Sequence, residues 1–266
     1  MTISVTSLNR YPIKSCRGES LDHAVVNARG FAGDRAFLIV DADGSYLTQR
    51  DIPRICLIVP TVRDTCLEAT APGMEPLAIT VRKSGAAREV TIWEDRCWAI
   101  DQGDEAAEWL ERFLGVPARL VRQADDDVRQ VDQDHAPRPT DQVHFGDGYP
   151  FLLLSRATLD DLNRRMEAPL PVDRFRPNIV VDGCDAYTED RWSEIRIGAL
   201  TFDVVKSCSR CAITQIDQAS GVQGKEPLRT LAGYRMTPEK KMLLGRYLIH
   251  RTPGVIQIGD AIEVLR

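Results

Sequence analysis

The first third of the chain is written mostly in period two. Residues 3–8 alternate between apolar and polar and stop at Tyr11-Pro12, and a second run, 24–27, ends at Gly30. Residues 35–40, the Gly-ended acidic turn 41–44 and residues 45–49 predict a hairpin, because two β-rich runs flank a turn that glycine can close. Further short runs at 55–62, 77–81 and 89–93 follow, with Gly, Pro and Asp between them. Many short strands punctuated in this way predict a barrel or sandwich.

The period then changes. Residues 104–114 predict a helix, with Asp104 as cap, Ala107, Leu110, Phe113 and Leu114 on one face, and Gly115 as stop. A strand over 118–122 follows. Residues 123–142 are rich in Asp, Gln and Pro and poor in apolar side chains, as in a linker or a functional loop. We set a domain boundary at its start, giving domains 1–122 and 123–266.

The second half is mixed. An apolar run, 151–154, precedes a helix capped by Ser155 and carrying Leu159, Leu162 and Met166. Residues 176–181 read as a strand entered through Pro177, on which Arg176 and Asn178 share a face. Residues 192–205 read as a hairpin turned at Gly198. A helix over 237–247 has Pro238 in its first turn. Strands 255–258 and 261–265 are joined by Gly259-Asp260. The expected fold class is mainly β with a few helices (α+β).

Composition narrows the chemistry. Across 266 residues the net charge is −5, which argues against a general nucleic-acid or membrane-surface binder. Seven cysteines at scattered positions do not form a disulfide framework, so a reducing cytoplasm is expected. The N-terminal stretch lacks a signal-peptide core, and no apolar run approaches the roughly 18 residues that cross a bilayer.

The candidate chemistry centres on Cys208-Ser-Arg-Cys211, flanked by Val204, Val205, Ile213 and Ile216. This pattern reads as strand, short turn, strand, and Arg210 would favour a thiolate, the form that attacks or binds metal. Structural zinc needs two more ligands, and the four histidines form no close pair. A thioredoxin-type pair would open a helix. Two buried core cysteines are the plain alternative, against which stand the polar neighbours Lys206, Ser207, Ser209 and Arg210. Four further clusters accompany it. Lys14, Ser15 and Arg17 lie on a turn suited to phosphate, or simply to solvent. Arg35 could bind an anion or pair with Asp34. Arg176 and Asn178 form the third cluster, and the tight turn Asp147-Gly148-Tyr149 the fourth. Together they offer cations and a thiol for a small anionic cofactor with a soft metal. Phosphate-loop, dinucleotide, nucleophile-elbow and zinc-protease motifs are missing.

Tyr11-Pro-Ile-Lys-Ser-Cys16 with Gly33-Asp-Arg-Ala-Phe37 resembles the N-terminal β-barrel that precedes MOSC domains. Asp147-Gly-Tyr-Pro150, Phe175-Arg-Pro-Asn178, Cys208-Ser-Arg-Cys211, Asp217 to Gly221 and Lys225-Glu-Pro-Leu228 resemble the MOSC domain itself. By motif the chain is similar to the mitochondrial amidoxime-reducing components and their bacterial counterparts. The resemblance implies a MOSC β-barrel core, a molybdenum cofactor (molybdenum on a phosphate-ended molybdopterin) and Cys211 as the metal ligand. It further implies that Lys14, Ser15, Arg35, Arg176 and Asn178 bind the cofactor. Asp147, Gly148, Tyr149, Ser209, Arg210 and Tyr247 line the pocket, and Asp147 serves substrate or proton. The implied reaction is reduction of N-hydroxylated compounds with loss of water. Against that family the chain is expected to end with its last MOSC strand, without membrane anchor or iron–sulfur extension. Electrons are therefore expected from a separate ferredoxin-, flavoprotein- or cytochrome-type donor. A carrier of sulfur or of the cofactor, without turnover, is the alternative, and a binding module for another phosphorylated ligand is a third reading.

Overall fold

The computed structural model describes residues 2–63 and 65–266. Met1, with which the first expected domain begins, and Asp64 lie outside the described residues. The core of the second half is an eight-stranded sheet. Its strands run in the order Ile262–Val264, Glu194–Ile197, Leu200–Arg210, Met242–His250, Phe151–Ser155, Ile179–Asp182, Ser4–Arg10 and Glu19–Leu21. Phe151–Ser155 and Ile179–Asp182 run parallel, with the capped helix Arg156–Arg164 in the crossover between them. Ser4 bridges Ala261, and the Val5 amide donates to the Asp260 carbonyl at 3.0 Å. The sheet thereby closes on itself as a barrel, which removes the unpaired edges that an open sheet exposes. Inside pack Leu8, Phe151, Ile179, Ile195, Phe202 and Leu248, all essentially without solvent contact.

The first half builds two smaller sheets. One orders Phe37–Val40, Arg119–Gln123, Asp95–Asp101 and Ala87–Ile92; the other orders Val59–Arg63, Cys66–Thr70 and Leu77–Thr80. The helix Asp104–Leu114 packs Ala106, Trp109, Leu110 and Phe113 against them. The halves interleave, since Ser4–Arg10 sits in the large sheet and His23–Asn27 pairs with Gly254–Gln257. No helix is long and apolar enough to cross a membrane.

Several expectations are corrected. Residues 237–247 are not a helix: Lys240 turns through φ 60° and Met242–His250 is a strand paired along Leu200–Arg210. Cross-strand pairing there overrides the helical spacing of the apolar residues. A five-residue helix, Leu228–Ala232, lies just upstream instead. After Cys211 comes a 3-10 turn, Ala212–Gln215, and not a strand. Arg176 is not on a strand with Asn178; it caps the 3-10 turn Val172–Phe175 in the left-handed region, and the strand begins at Ile179. Gly103 occupies the N-cap that Asp104 was expected to fill, while Asp104 remains in the first turn, where an acid favours the helix dipole. Residues 45–49 form two isolated bridges, Tyr46 to Val40 and Ser45 to Thr91, in place of a full hairpin strand. The strands Cys66–Thr70 and Asp95–Asp101 had not been anticipated.

Candidate active site

Strand Leu200–Arg210 carries the cysteine motif to the rim of the barrel. Its pairing with Met242–His250 slips between Ser207 and Ser209, a bulge of the kind that re-aims side chains beside sites. Gly245 opposes the slip at φ 81°, and a Cβ there would lie 2.8 Å from the Leu153 carbonyl, so the bend needs glycine. Beyond it the two thiols part. Cys208 is buried in the strand, whereas Cys211 stands exposed just after it. Arg210 Nη1 donates to Cys208 Sγ at 2.7 Å, so the guanidinium serves the inner thiol.

Cys211 opens into a cleft between the halves, lined also by Lys14, Ser15, Arg35, Asp147, Tyr149, Arg176, Asn178, Ser209, Arg210 and Tyr247. Of the anticipated site residues, Gly148 lies outside it, lining an adjoining outer cleft, and Arg17 turns to the Gln218 carbonyl and lines neither. Sequence reasoning left out Arg50 and gave no site role to Arg174, which stands in the cluster Arg174-Phe-Arg176-Pro-Asn178; both line the inner cleft. Arg174 was legible as the partner of Arg176 in an Arg-x-Arg pattern; nothing local marked Arg50.

The inner cleft is a cationic place. Six cations line it (Lys14, Arg35, Arg50, Arg174, Arg176 and Arg210) against the single carboxylate of Asp147. Lys14 Nζ bonds Asp147, Arg35 pairs with Asp34 at 2.6 Å and Arg174 with Asp217 at 2.8 Å. Arg176 and Arg210 have no carboxylate partner among the described residues. Arg176 donates to the Cys16 carbonyl at 2.6 Å and lies 4.3 Å from the Tyr11 ring centroid, which Arg35 approaches to 4.2 Å. Burial pushes Arg176 below its ordinary pKa, and Arg35 adds to the push. Buried positive charge of this kind is costly unless an anion joins it. Asn178 accepts from Arg35 at 2.9 Å and donates to the Asn9 carbonyl at 3.2 Å, so it acts by holding Arg35.

Burial lowers the pKa of Lys14 against the pull of Asp147. Desolvation pushes the pKa of Asp147 up, but its side chain is 51% exposed, and Lys14, Arg35 and Arg50 together outweigh that push and hold it well below the usual carboxylate range. Tyr247 is raised well above its ordinary value by burial and by Cys208.

Backbone strain gathers here as well. Ser15 (φ 68°), Arg35 (φ 48°) and Arg176 (φ 54°) all occupy the left-handed region and all line the inner cleft. Such conformations cost on the order of 1–3 kcal/mol each and collect where the surroundings fix a site. Ser15 is held through its carbonyl, which accepts from Gln49 Nε2 at 2.5 Å; Gln49 in turn exchanges two bonds with Gln218.

The outer cleft shares six residues with the inner one: Arg50, Asp147, Tyr149, Ser209, Cys211 and Tyr247. Tyr149 and Tyr247 stack at 4.6 Å between the two spaces. Tyr149 donates to Asp132 at 2.7 Å, as does Lys206 at 2.9 Å. The polar segment 123–142 is therefore a wall of the site.

The donor set fits an anionic group bound through a soft metal. Arg174 Nε and Arg210 Nε are buried without partners and belong to the cleft lining. The exposed sulfur of Cys211 is a soft ligand. Among the described residues no group of three His, Cys, Asp or Glu side chains gathers as a closed metal cage.

The MOSC N-terminal beta barrel domain matches residues 2–117, and the MOSC domain matches residues 140–263. The chain is 35% identical over 279 residues to the mitochondrial amidoxime-reducing component 1 of Homo sapiens, covering 98% of this chain and 83% of that protein. It is 36% identical over 282 residues to the mitochondrial amidoxime reducing component 2 of Bos taurus, covering 97% and 82%. The YuaD protein from Bacillus subtilis, a solved structure, is a distant likeness: TM-score 0.43, 12% identity, 98% of this chain and 94% of that one. Fold, cleft and matches define the class as a MOSC-domain protein preceded by the MOSC N-terminal β-barrel. Within that class the chain belongs to the family of the mitochondrial amidoxime-reducing components.

Proposed function

We propose that this chain is a molybdenum-cofactor-dependent oxidoreductase. It reduces N-hydroxylated compounds, among them amidoximes, hydroxylamines and N-hydroxylated bases, with electrons from a separate donor protein. The observation that carries the reading is the inner cleft, where the exposed Cys211 sulfur stands beside cations that outnumber carboxylates. The names of the relatives support the reductive chemistry.

The bound cofactor would supply the two-electron chemistry at the N–O bond. The chain's own groups supply binding and orientation. Cys211 Sγ would ligate the metal. Lys14, Ser15, Arg35, Arg174, Arg176 and Arg210 would hold the anionic remainder, with Arg35 pinned by Asp34 and Asn178. The stacked Tyr149 and Tyr247 stand at the junction of the clefts, between cofactor and substrate spaces. Asp147, ionised at neutral pH and tied to Lys14, is a hydrogen-bond acceptor for the substrate N-hydroxyl group. A cytoplasmic location belongs to the same proposal, since seven free thiols suit a reducing compartment.

Protein isolated from a host that makes the cofactor should contain molybdenum and a phosphorylated pterin in equal amounts. With a chemical reductant it should convert an amidoxime to the amidine. An isolate free of molybdenum under those conditions overturns the reading.

A further inference from the structure

The hairpin between strands Ala87–Ile92 and Asp95–Asp101 has two loop residues, Trp93 and Glu94, since Ile92 pairs with Asp95. Trp93 takes φ 56° at the first loop position. Two-residue hairpins favour glycine or asparagine there, because a bulky side chain is strained at positive φ. The strained residue also presents a large apolar ring to solvent, 46% exposed. Neither the turn nor the core accounts for an indole at this position.

Its surroundings do. Trp93 lines the outer cleft, whose lining includes Cys211. Arg50 lies 4.6 Å from its ring centroid and Tyr46 packs against it at 5.6 Å. Tyr46 is fixed by its bridge to Val40 and by its amide, which donates to the Thr91 carbonyl at 3.3 Å. The stacked Tyr149 and Tyr247 line the same cleft. The cleft is thus furnished with flat π surfaces on elements from both halves of the chain. Its charges nearly balance, five cations to four carboxylates, unlike those of the inner cleft, and Arg129 pairs with Asp95 at 2.7 Å and Lys206 with Asp132 at 2.9 Å. A space with aromatic surfaces and nearly balanced charge suits a flat, weakly charged molecule, not an anion.

We propose that the outer cleft is the substrate subsite and that Trp93 is its specificity-determining residue, selecting N-hydroxylated compounds whose N–O group is carried on a planar aromatic ring. The ring stacks at the Trp93 lip while the N–O group points toward Cys211 and Asp147. This inference rests on the reductase reading and is tested so that the two can fail separately.

The activity test compares benzamidoxime with acetamidoxime as substrates of the molybdenum-loaded protein. In Trp93→Asn, which suits the turn, the preference in kcat/KM for the aryl substrate should fall about tenfold, through KM. Trp98→Asn, at an indole 54% exposed and away from the cleft, should keep the preference. An unchanged preference in Trp93→Asn overturns the subsite. The binding test needs no turnover. Benzamidoxime should quench tryptophan fluorescence saturably in the wild type and in Trp98→Asn, and acetamidoxime should not. Quenching that survives in Trp93→Asn refutes the subsite even if the protein reduces neither compound, in which case the reductase reading fails on its own.

Discussion

The inner and outer clefts meet at Cys211 yet are built on opposite electrostatic plans. Inside, Arg50, Arg176 and Arg210 lack a carboxylate among the described residues, and the buried Nε groups of Arg174 and Arg210 have no partner. Outside, Arg129 and Lys206 each have their acid. A protein leaves buried charge unbalanced at a cost of several kcal/mol unless a ligand completes it. The difference therefore separates a space made for a charged resident from one made for a visitor with little charge.

The strongest challenge to that division is Cys211→Ala. Metal analysis should find bound molybdenum reduced to background, whereas Lys206→Ala in the outer cleft should retain it. Next comes charge removal. Arg176→Ala should weaken the binding of inorganic pyrophosphate to the cofactor-free protein by roughly 10–100-fold by calorimetry, the worth of a charged hydrogen bond. Lys206→Ala should change it by less than about threefold, as surface pairs contribute little. Similar losses in both variants would erase the contrast.

A smaller effect tests the shared scaffold. Gly245→Ala forces a Cβ to within 2.8 Å of the Leu153 carbonyl at a positive φ, so the melting temperature should fall by an amount equivalent to about 1–3 kcal/mol. The smallest is a pH effect beside the clefts, at His144, whose carbonyl accepts from the outer-cleft Arg129 at 2.8 Å. Burial lowers the pKa of His144 to about 3, with Arg29 and Arg122 assisting. The unfolded chain binds this proton more readily than the folded one, so stability is retained above the ordinary histidine pKa. It declines as pH falls from about 6.5 toward 3. Denaturant melts of wild type and His144→Gln should converge as the pH is lowered through that window.

Much of the fold could be read from the residues. Period-two runs located most strands, and Ser155, Gly115 and Gly198 marked a cap, a stop and a turn where they occur. Misreadings arose where partners distant in sequence decide. The run from Met242 has helical spacing but lies along Leu200–Arg210. Arg176 leaves the strand reading because its guanidinium seeks Cys16, 160 residues away in the sequence. The residues of the inner cleft were legible as clusters, and resemblance to a family joined them. Arg50 and Trp93 were not, since their importance comes from which space the first-half hairpins face.

Ser4 and Ala261 lie side by side where the barrel closes. A ribosome adding roughly 5–20 residues per second delivers these two on the order of ten to fifty seconds apart. Throughout that wait the seam is open, and Tyr247, which lines the inner cleft, follows Ser4 by nearly as long an interval. A cleft walled from both ends of this span cannot be complete before its later half is made.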